Sequence, residues 1–209
     1  MRWLIFSDLH GHRVAAEEIS RYVAENSVDM MLFAGDLTHF GTRRDAGGLL
    51  DILTEPGVPM RAVIGNCDPP EIRDVLRNYN VDAGEQCIST KEGYSIIGIT
   101  QTGSYRTQTK LPDSVLSSCH GKLVFLSHVP PAGCSVARVF TGQDAGSAYL
   151  RQLIEENTPV MCVCGHIHEG AGVDWIGRTL VVNPGPSRDG EMAVAEIEEE
   201  DIQIHTVRL

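Results

Sequence analysis

Three times in the first half of the chain, a short apolar run gives way to a polar turn and then to apolar residues at helical spacing. Trp3–Phe6 leads to a predicted helix near His12–Glu25, and Met30–Ala34 leads to one over Thr42–Thr54. Met60–Ile64 leads to a third, opened by Pro69-Pro70 and running to about Asn78. Proline suits a first helical turn, whose N–H groups have no partner within the helix. Strands and helices that alternate in this way imply a mainly parallel sheet with helices packed outside it.

The second half is richer in strand signals, at Tyr94–Ile99, Lys122–Leu126, Val160–Cys164, Gly172–Ile176, Thr179–Val182, Met192–Ile197 and Ile202–Val207. Ile176-Gly177-Arg178-Thr179 supplies a glycine turn for a hairpin. Asp144–Asn157 carries one more helical pattern, with Ala148, Leu150, Leu153 and Ile154 as its buried face. The length of 209 residues suits one domain, residues 1–209, burying roughly 70% of the unfolded surface. The expected fold class is α/β, with two stacked mixed β-sheets flanked by helices.

Seventeen Lys and Arg against 28 Asp and Glu leave a formal charge of −11. That balance argues against an extended nucleic-acid-binding surface, though a nucleotide held by a local metal cluster stays open. The acidic run from Glu196 to Asp201 reads as a solvated turn between the last two strands. No apolar run approaches the ~20 residues of a membrane span. The opening Met1-Arg2-Trp3-Leu4-Ile5-Phe6-Ser7-Asp8 reads as a first strand rather than a signal peptide, so the expected location is cytoplasmic. Six cysteines then read as free thiols in a reducing compartment. Cys162 and Cys164 lie inside an apolar run and read as small core residues rather than half a zinc site.

Five of the apolar strands end in residue types that ligate metals. Trp3–Phe6 is followed by Asp8 and His10, Met30–Ala34 by Asp36, Arg61–Ile64 by Asn66, Leu123–Leu126 by His128, and Val160–Cys164 by His166 and His168. In an α/β sheet the carboxyl ends of the strands form the crevice where ligands gather. A lone Asp or His after a strand is ordinarily a turn or cap residue; repetition at five strand ends points to one converging site. A glycine precedes Asp36, Asn66 and His166, which suits sharp turns and close backbone approach.

In Asp8-Leu9-His10, Gly35-Asp36, Gly65-Asn66-Cys67-Asp68, Ser127-His128 and Gly165-His166-Ile167-His168, the chain resembles the calcineurin-like metallophosphoesterases, in that family's motif order. The resemblance implies a four-layer αββα sandwich. It also implies two divalent metal ions per chain, one on Asp8, His10, Asp36 and His168, the other on Asn66, His128 and His166, with Asp36 bridging. The implied activity is hydrolysis of a phosphate ester by a hydroxide bridging the two ions, a binuclear hydrolase. Two divalent ions clamp phosphate oxygens and lower the pKa of a shared water. Asp8 and Asp36 offset about −2 of the +4, leaving roughly +2 toward the substrate. Without a thiolate among these ligands, manganese heads a list that also admits Fe, Ni, Co and Zn.

Cys67 departs from the commoner family pattern, which has histidine there to assist the leaving oxygen; the Gly-Asn-Cys-Asp form resembles prokaryotic branches. A thiol is a weak donor, so Cys67 either assists the leaving group, serves as a soft ligand or fills space. Asp68 is expected to orient its neighbours. The residues expected to carry catalysis are thus Asp36, Asn66, Cys67, Asp68 and His128. His12 and His39 could each contact phosphate or hold surface or helix-start roles. Asn183-Pro184-Gly185 resembles the family's late rim loop, and Gly103-Ser104-Tyr105-Arg106-Thr107 could read a substrate or form a plain polar loop. A phosphodiesterase acting on a small phosphate ester or nucleotide is the first reading, with self-assembly left open. The alternatives are a catalytically inactive scaffold or interaction module on the same fold, and a nuclease, which the charge disfavours.

Overall fold

The computed structural model describes residues 1–101, 108–199 and 201–209. Two mixed sheets stack face to face. In the first, β1 (Arg2–Phe6), β2 (Met30–Phe33) and β3 (Met60–Ala62) run parallel, while β10 (Glu191–Glu198) and β11 (Asp201–Arg208) extend the β1 side as an antiparallel pair. The second has the order β4 (Cys87–Ser89), β5 (Tyr94–Ile99), β6 (Lys122–Ser127), β7 (Met161–Val163), β9 (Thr179–Asn183) and β8 (Gly172–Ile176). Its four central strands are parallel and its two edges antiparallel.

The period-2 alternation of a strand explains why the central runs β1, β2, β6 and β7 are apolar almost throughout. Trp3 and Ile5 of β1 point between the sheets, where they meet Tyr94, Val124, Met161 and Leu180, while Leu4 and Phe6 point the other way. There they pack against α1 (Arg13–Glu25), α2 (Arg43–Thr54) and α3 (Ile72–Asn78). In β6 and β7, Val124, Leu126, Met161 and Val163 face the first sheet, and Phe125 and Cys162 face α5 (Ala148–Asn157). Burial on both faces removes any polar face from a strand. Each fully buried large apolar side chain contributes about 1.5–3 kcal/mol. An exposed pair such as Arg13–Glu17 adds about 0–1 kcal/mol, so the three apolar layers decide the fold.

The first two predicted helices start at side-chain caps, whereas the third starts at Ile72, just past Pro69-Pro70, without one. Thr42 and Asp45 form a reciprocal capping box at α2, and His12 caps α1 by accepting from Ala15 N–H. The pattern over Asp144–Asn157 yields a helix only from Ala148: Asp144 spends its carboxylate on the N–H groups of Gly133 and Gly146, and Ser147 is the cap. The turn Ile176–Thr179 does join antiparallel strands, β8 and β9. The acidic run is not simply a turn, since Glu196 and Glu198 lie in β10 and Asp201 in β11, with Glu198 opposite Asp201. The loop Gly103–Thr107 falls outside the described residues.

Six free thiols were expected, and the structure corrects this. Cys87 and Cys119 are joined in a disulfide, whereas Cys67, Cys134, Cys162 and Cys164 are free and buried. The partners stand 32 residues apart; only the edge strand β4, packed beside the turn after α4 (Asp113–Ser117), brings them together. Among the described residues no helix is long and apolar enough to cross a membrane.

Candidate metal centre

The loops that follow β1, β2, β3, β6 and β7 meet at one edge of the sandwich, and they bring Asp8, His10, Asp36, Asn66, His128, His166 and His168 together. Four of these adopt a left-handed backbone: Asp8 (φ 56°), His10 (φ 48°), Asp36 (φ 58°) and His166 (φ 69°). Such conformations cost of order 1–3 kcal/mol each outside glycine and persist where surrounding structure imposes them. The glycines before the motifs permit the close approach. A Cβ on Gly65 would collide with the Asp36 carboxylate, and one on Gly165 would collide with Ser7 and the Asp8 carboxylate.

Among the described residues two groups of converging donors share Asp8, one with His10 and His168 and one with Asp36 and His128, while a third joins His10 with His39 and Cys67. His168 Nε2 is 3.2 Å from Asp8 Oδ1 and 3.4 Å from His10 Nε2. Asp36 Oδ2 is 3.8 Å from His10 Nε2 and 3.3 Å from His128 Nε2, so it faces both groups. Asp36 Oδ1 accepts from Cys67 N–H at 2.7 Å, which stops the carboxylate turning away. Asn66 Oδ1 lies 3.0 Å from His128 Nε2. The His166 ring sits against that of His128, centroids 5.0 Å apart, and its backbone N–H donates to Asp8 Oδ2 at 3.0 Å.

Asp68 holds two of these loops in register. Its buried carboxylate accepts from the N–H groups of Leu37 and Thr38, the Thr38 hydroxyl, and Gly65 N–H. Cys67 is a free, buried thiol in contact with the Asn66 amide at 3.2 Å. Burial and the nearby Asp36 carboxylate push its pKa up to about 12.

Electrostatics test whether these residues fit a pair of cations. Asp8 and Asp36 are almost wholly buried, and among the described residues no Lys or Arg pairs with either. Burial opposes ionisation of Asp8, but hydrogen bonds from His10 and His168 outweigh it and hold the carboxyl below its ordinary range. Asp36 is likewise held down by His128 against the same burial penalty. For His128, burial favours the neutral form, yet Asp36 wins and raises the pKa to about 9. Burial and the His128 charge depress His166 to about 4, leaving it neutral at physiological pH. Two facing imidazole nitrogens over buried carboxylates form a donor set that a divalent cation satisfies better than a single proton does. The residues fit a pair of divalent ions.

Several contributors carried no clear signal in the sequence. Arg188 places a guanidinium nitrogen 3.3 Å from His168 Nδ1, and its N–H donates to Asp8 O. Ser187 exchanges hydrogen bonds with the backbone of Ser7. Both belong to the loop after β9, whose opening Asn183-Pro184-Gly185 carries the rim-loop resemblance, while Ser187 and Arg188 beyond it carry no signal of their own. Asn183 donates to Ile167 O, steadying the loop between His166 and His168. Of the two uncertain histidines, His12 caps a helix, whereas a His39 ring nitrogen lies within 4.8 Å of donor atoms of both His10 and Cys67.

Two mixed sheets, flanked by helices and gathering carboxylates and imidazoles at one edge, define the sandwich of the metal-dependent phosphoesterases. The calcineurin-like phosphoesterase superfamily domain matches residues 1–200, and the chain belongs to that superfamily. An uncharacterised protein of Methanocaldococcus jannaschii is 30% identical over 201 residues, covering 89% of this chain and 88% of that one. A probable cyclic nucleotide phosphodiesterase of Synechococcus is 25% identical over 153 residues, 69% of this chain and 60% of that protein. A crystal structure from Thermus thermophilus shares the fold at a TM-score of 0.73, with 20% identity and 99% of each chain covered.

Proposed function

We propose that the protein is a metal-dependent phosphodiesterase acting on a small phosphate ester or nucleotide. In this reading Asp8, His10, Asp36 and His168 hold one divalent cation, and Asn66, His128 and His166 hold the other with Asp36 shared. The observation that carries it is the pair of buried carboxylates, Asp8 and Asp36, ringed by imidazoles and without a Lys or Arg partner among the described residues. Two divalent cations bound there supply charge neutralisation of the phosphate and activation of water.

The chain's own groups do the positioning. His128 Nδ1–H donates to Ala34 O at 2.7 Å, which aims Nε2 at Asp36 and Asn66. Cys67 stays a neutral thiol and offers a weak proton to a departing oxygen. Substrates whose leaving groups need little help are therefore favoured over simple alkyl monoesters. The relative named as a probable cyclic nucleotide phosphodiesterase supports the choice of diesters. The test is a hydrolysis screen of manganese-loaded protein across diesters, monoesters and nucleotides. Turnover of an aryl diester that vanishes on chelation and returns with metal is expected; monoester turnover alone would overturn the diester assignment, and no turnover would overturn the enzyme reading.

A further inference from the structure

Beside the candidate metal centre, a cleft of about 460 Å³ opens between the starts of α1 and α2. That size lies in the range of about 300–1,000 Å³ found for small-molecule sites. The His10 imidazole forms part of its wall, so the cleft and the metal centre are contiguous. Arg13, His39 and Arg44 supply its other basic groups.

We propose that this cleft is a second anion subsite, and that the substrate carries, besides the phosphate hydrolysed, another phosphate or carboxylate bound by Arg44 and Arg13. The inference rests on the phosphoesterase reading of the adjoining centre and adds the class of substrate. Among the described residues Arg44 makes no direct ion pair, and it acts on the adjacent Asp45 only through space, helping to hold that carboxyl below its ordinary range. Arg13 is paired only with Glu17, one helical turn on, and both side chains are largely exposed; such a pair yields readily to a better acceptor. Guanidinium groups bind phosphate and carboxylate through two parallel hydrogen bonds. The one carboxylate on the wall, Asp45, already accepts from the N–H and O–H of Thr42. In a chain of net charge −11, two arginines against the single carboxylate of Asp45 give this cleft wall a local excess of positive charge.

Gly48 adds an independent observation. It lies inside α2 and on the cleft wall, and a Cβ there would meet nothing within 4 Å. Glycine weakens a helix interior relative to alanine, and no packing constraint requires it here. It leaves this part of the cleft wall without a side chain.

The experiment is calorimetric titration of the manganese-loaded protein with a nucleoside 3′,5′-bisphosphate and with the corresponding 5′-monophosphate, alongside aryl diester turnover. The bisphosphate is expected to bind roughly 10- to 100-fold tighter. Arg13→Ala combined with Arg44→Ala should remove that advantage and leave monophosphate affinity unchanged. Gly48→Met should remove it by filling the cleft, without touching either arginine. Equal affinity for the two nucleotides in the parent, or an advantage that survives the double substitution, would overturn the subsite while diester turnover still upheld the phosphodiesterase. Loss of binding and turnover alike would overturn both.

Discussion

Asp36 Oδ2 lies 3.3 Å from His128 Nε2, both side chains almost wholly buried, while Asp36 Oδ1 is pinned by Cys67 N–H. The same Oδ2 also faces His10, so one carboxylate oxygen stands between the two groups of donors. Asp36→Asn keeps the shape, removes the charge and puts a neutral amide where the proposed cations would need a carboxylate. Diester turnover should fall by at least about 100-fold, with the thermal transition of the metal-loaded protein still cooperative. An Asp36→Asn protein as active as its parent at saturating metal would refute the shared role.

The His128–Asp36 pair also sets a pH dependence. The His128 pKa rises from 6.5 to about 9, so in metal-free protein its stabilisation is complete below pH 6.5 and lost as pH climbs through 9. At about 1.4 kcal/mol for each pH unit, that is roughly 3 kcal/mol. Metal binding runs the other way, because a ligating imidazole must give up its proton. Melting temperature with chelator should therefore fall between pH 6.5 and 9, whereas apparent manganese affinity should climb over the same window. A chelated protein whose melting temperature holds level across that window would show that the pair does not carry this charge.

Asp68 satisfies four donors from two loops. Asp68→Ala would strand buried N–H groups, each costing about 1–3 kcal/mol. A loss of about 3 kcal/mol corresponds to a fall in melting temperature of roughly 6–12 °C for a chain of this size. A change under about 2 °C would mean that water replaces the carboxylate without cost.

Cys67 governs how turnover varies with the leaving group. A neutral thiol, pKa about 12, protonates a departing alkoxide poorly, so log kcat should fall steeply as leaving-group pKa rises. Cys67→His should flatten that slope, with a gain of at most about 10²–10⁴-fold on alkyl esters. Cys67→Ala should barely change aryl-ester turnover. Parallel lines for the parent and Cys67→His would remove the residue from leaving-group chemistry; collapse of aryl turnover in Cys67→Ala would make the thiol a metal ligand.

The layered fold was legible because the central strands are apolar on both faces and the first two are followed by a turn and a side-chain-capped helix. The converging residues were legible because they repeat at the ends of those strands. What escaped notice depends on contacts between distant segments. β4 is three residues at an edge, too short to show any period. The Cys87–Cys119 bridge needs that edge strand to exist first. Arg188 reaches His168 from a loop tied to Ser7 through Ser187 and to Asp8 through its own backbone N–H, and the sequence does not separate His39, beside His10 and Cys67, from the helix cap His12.

If buried Asp8 and Asp36, with their histidines, hold two divalent ions, the metal content of the protein must show it. Elemental analysis of the protein after reconstitution with excess manganese and removal of unbound ion tests it most directly, with diesterase activity followed on the same samples. A stoichiometry near two per chain is expected, with metal and activity lost together on chelation and regained together on reloading. Folded protein that retains no metal, or diesterase activity that persists after both ions are stripped, would contradict it.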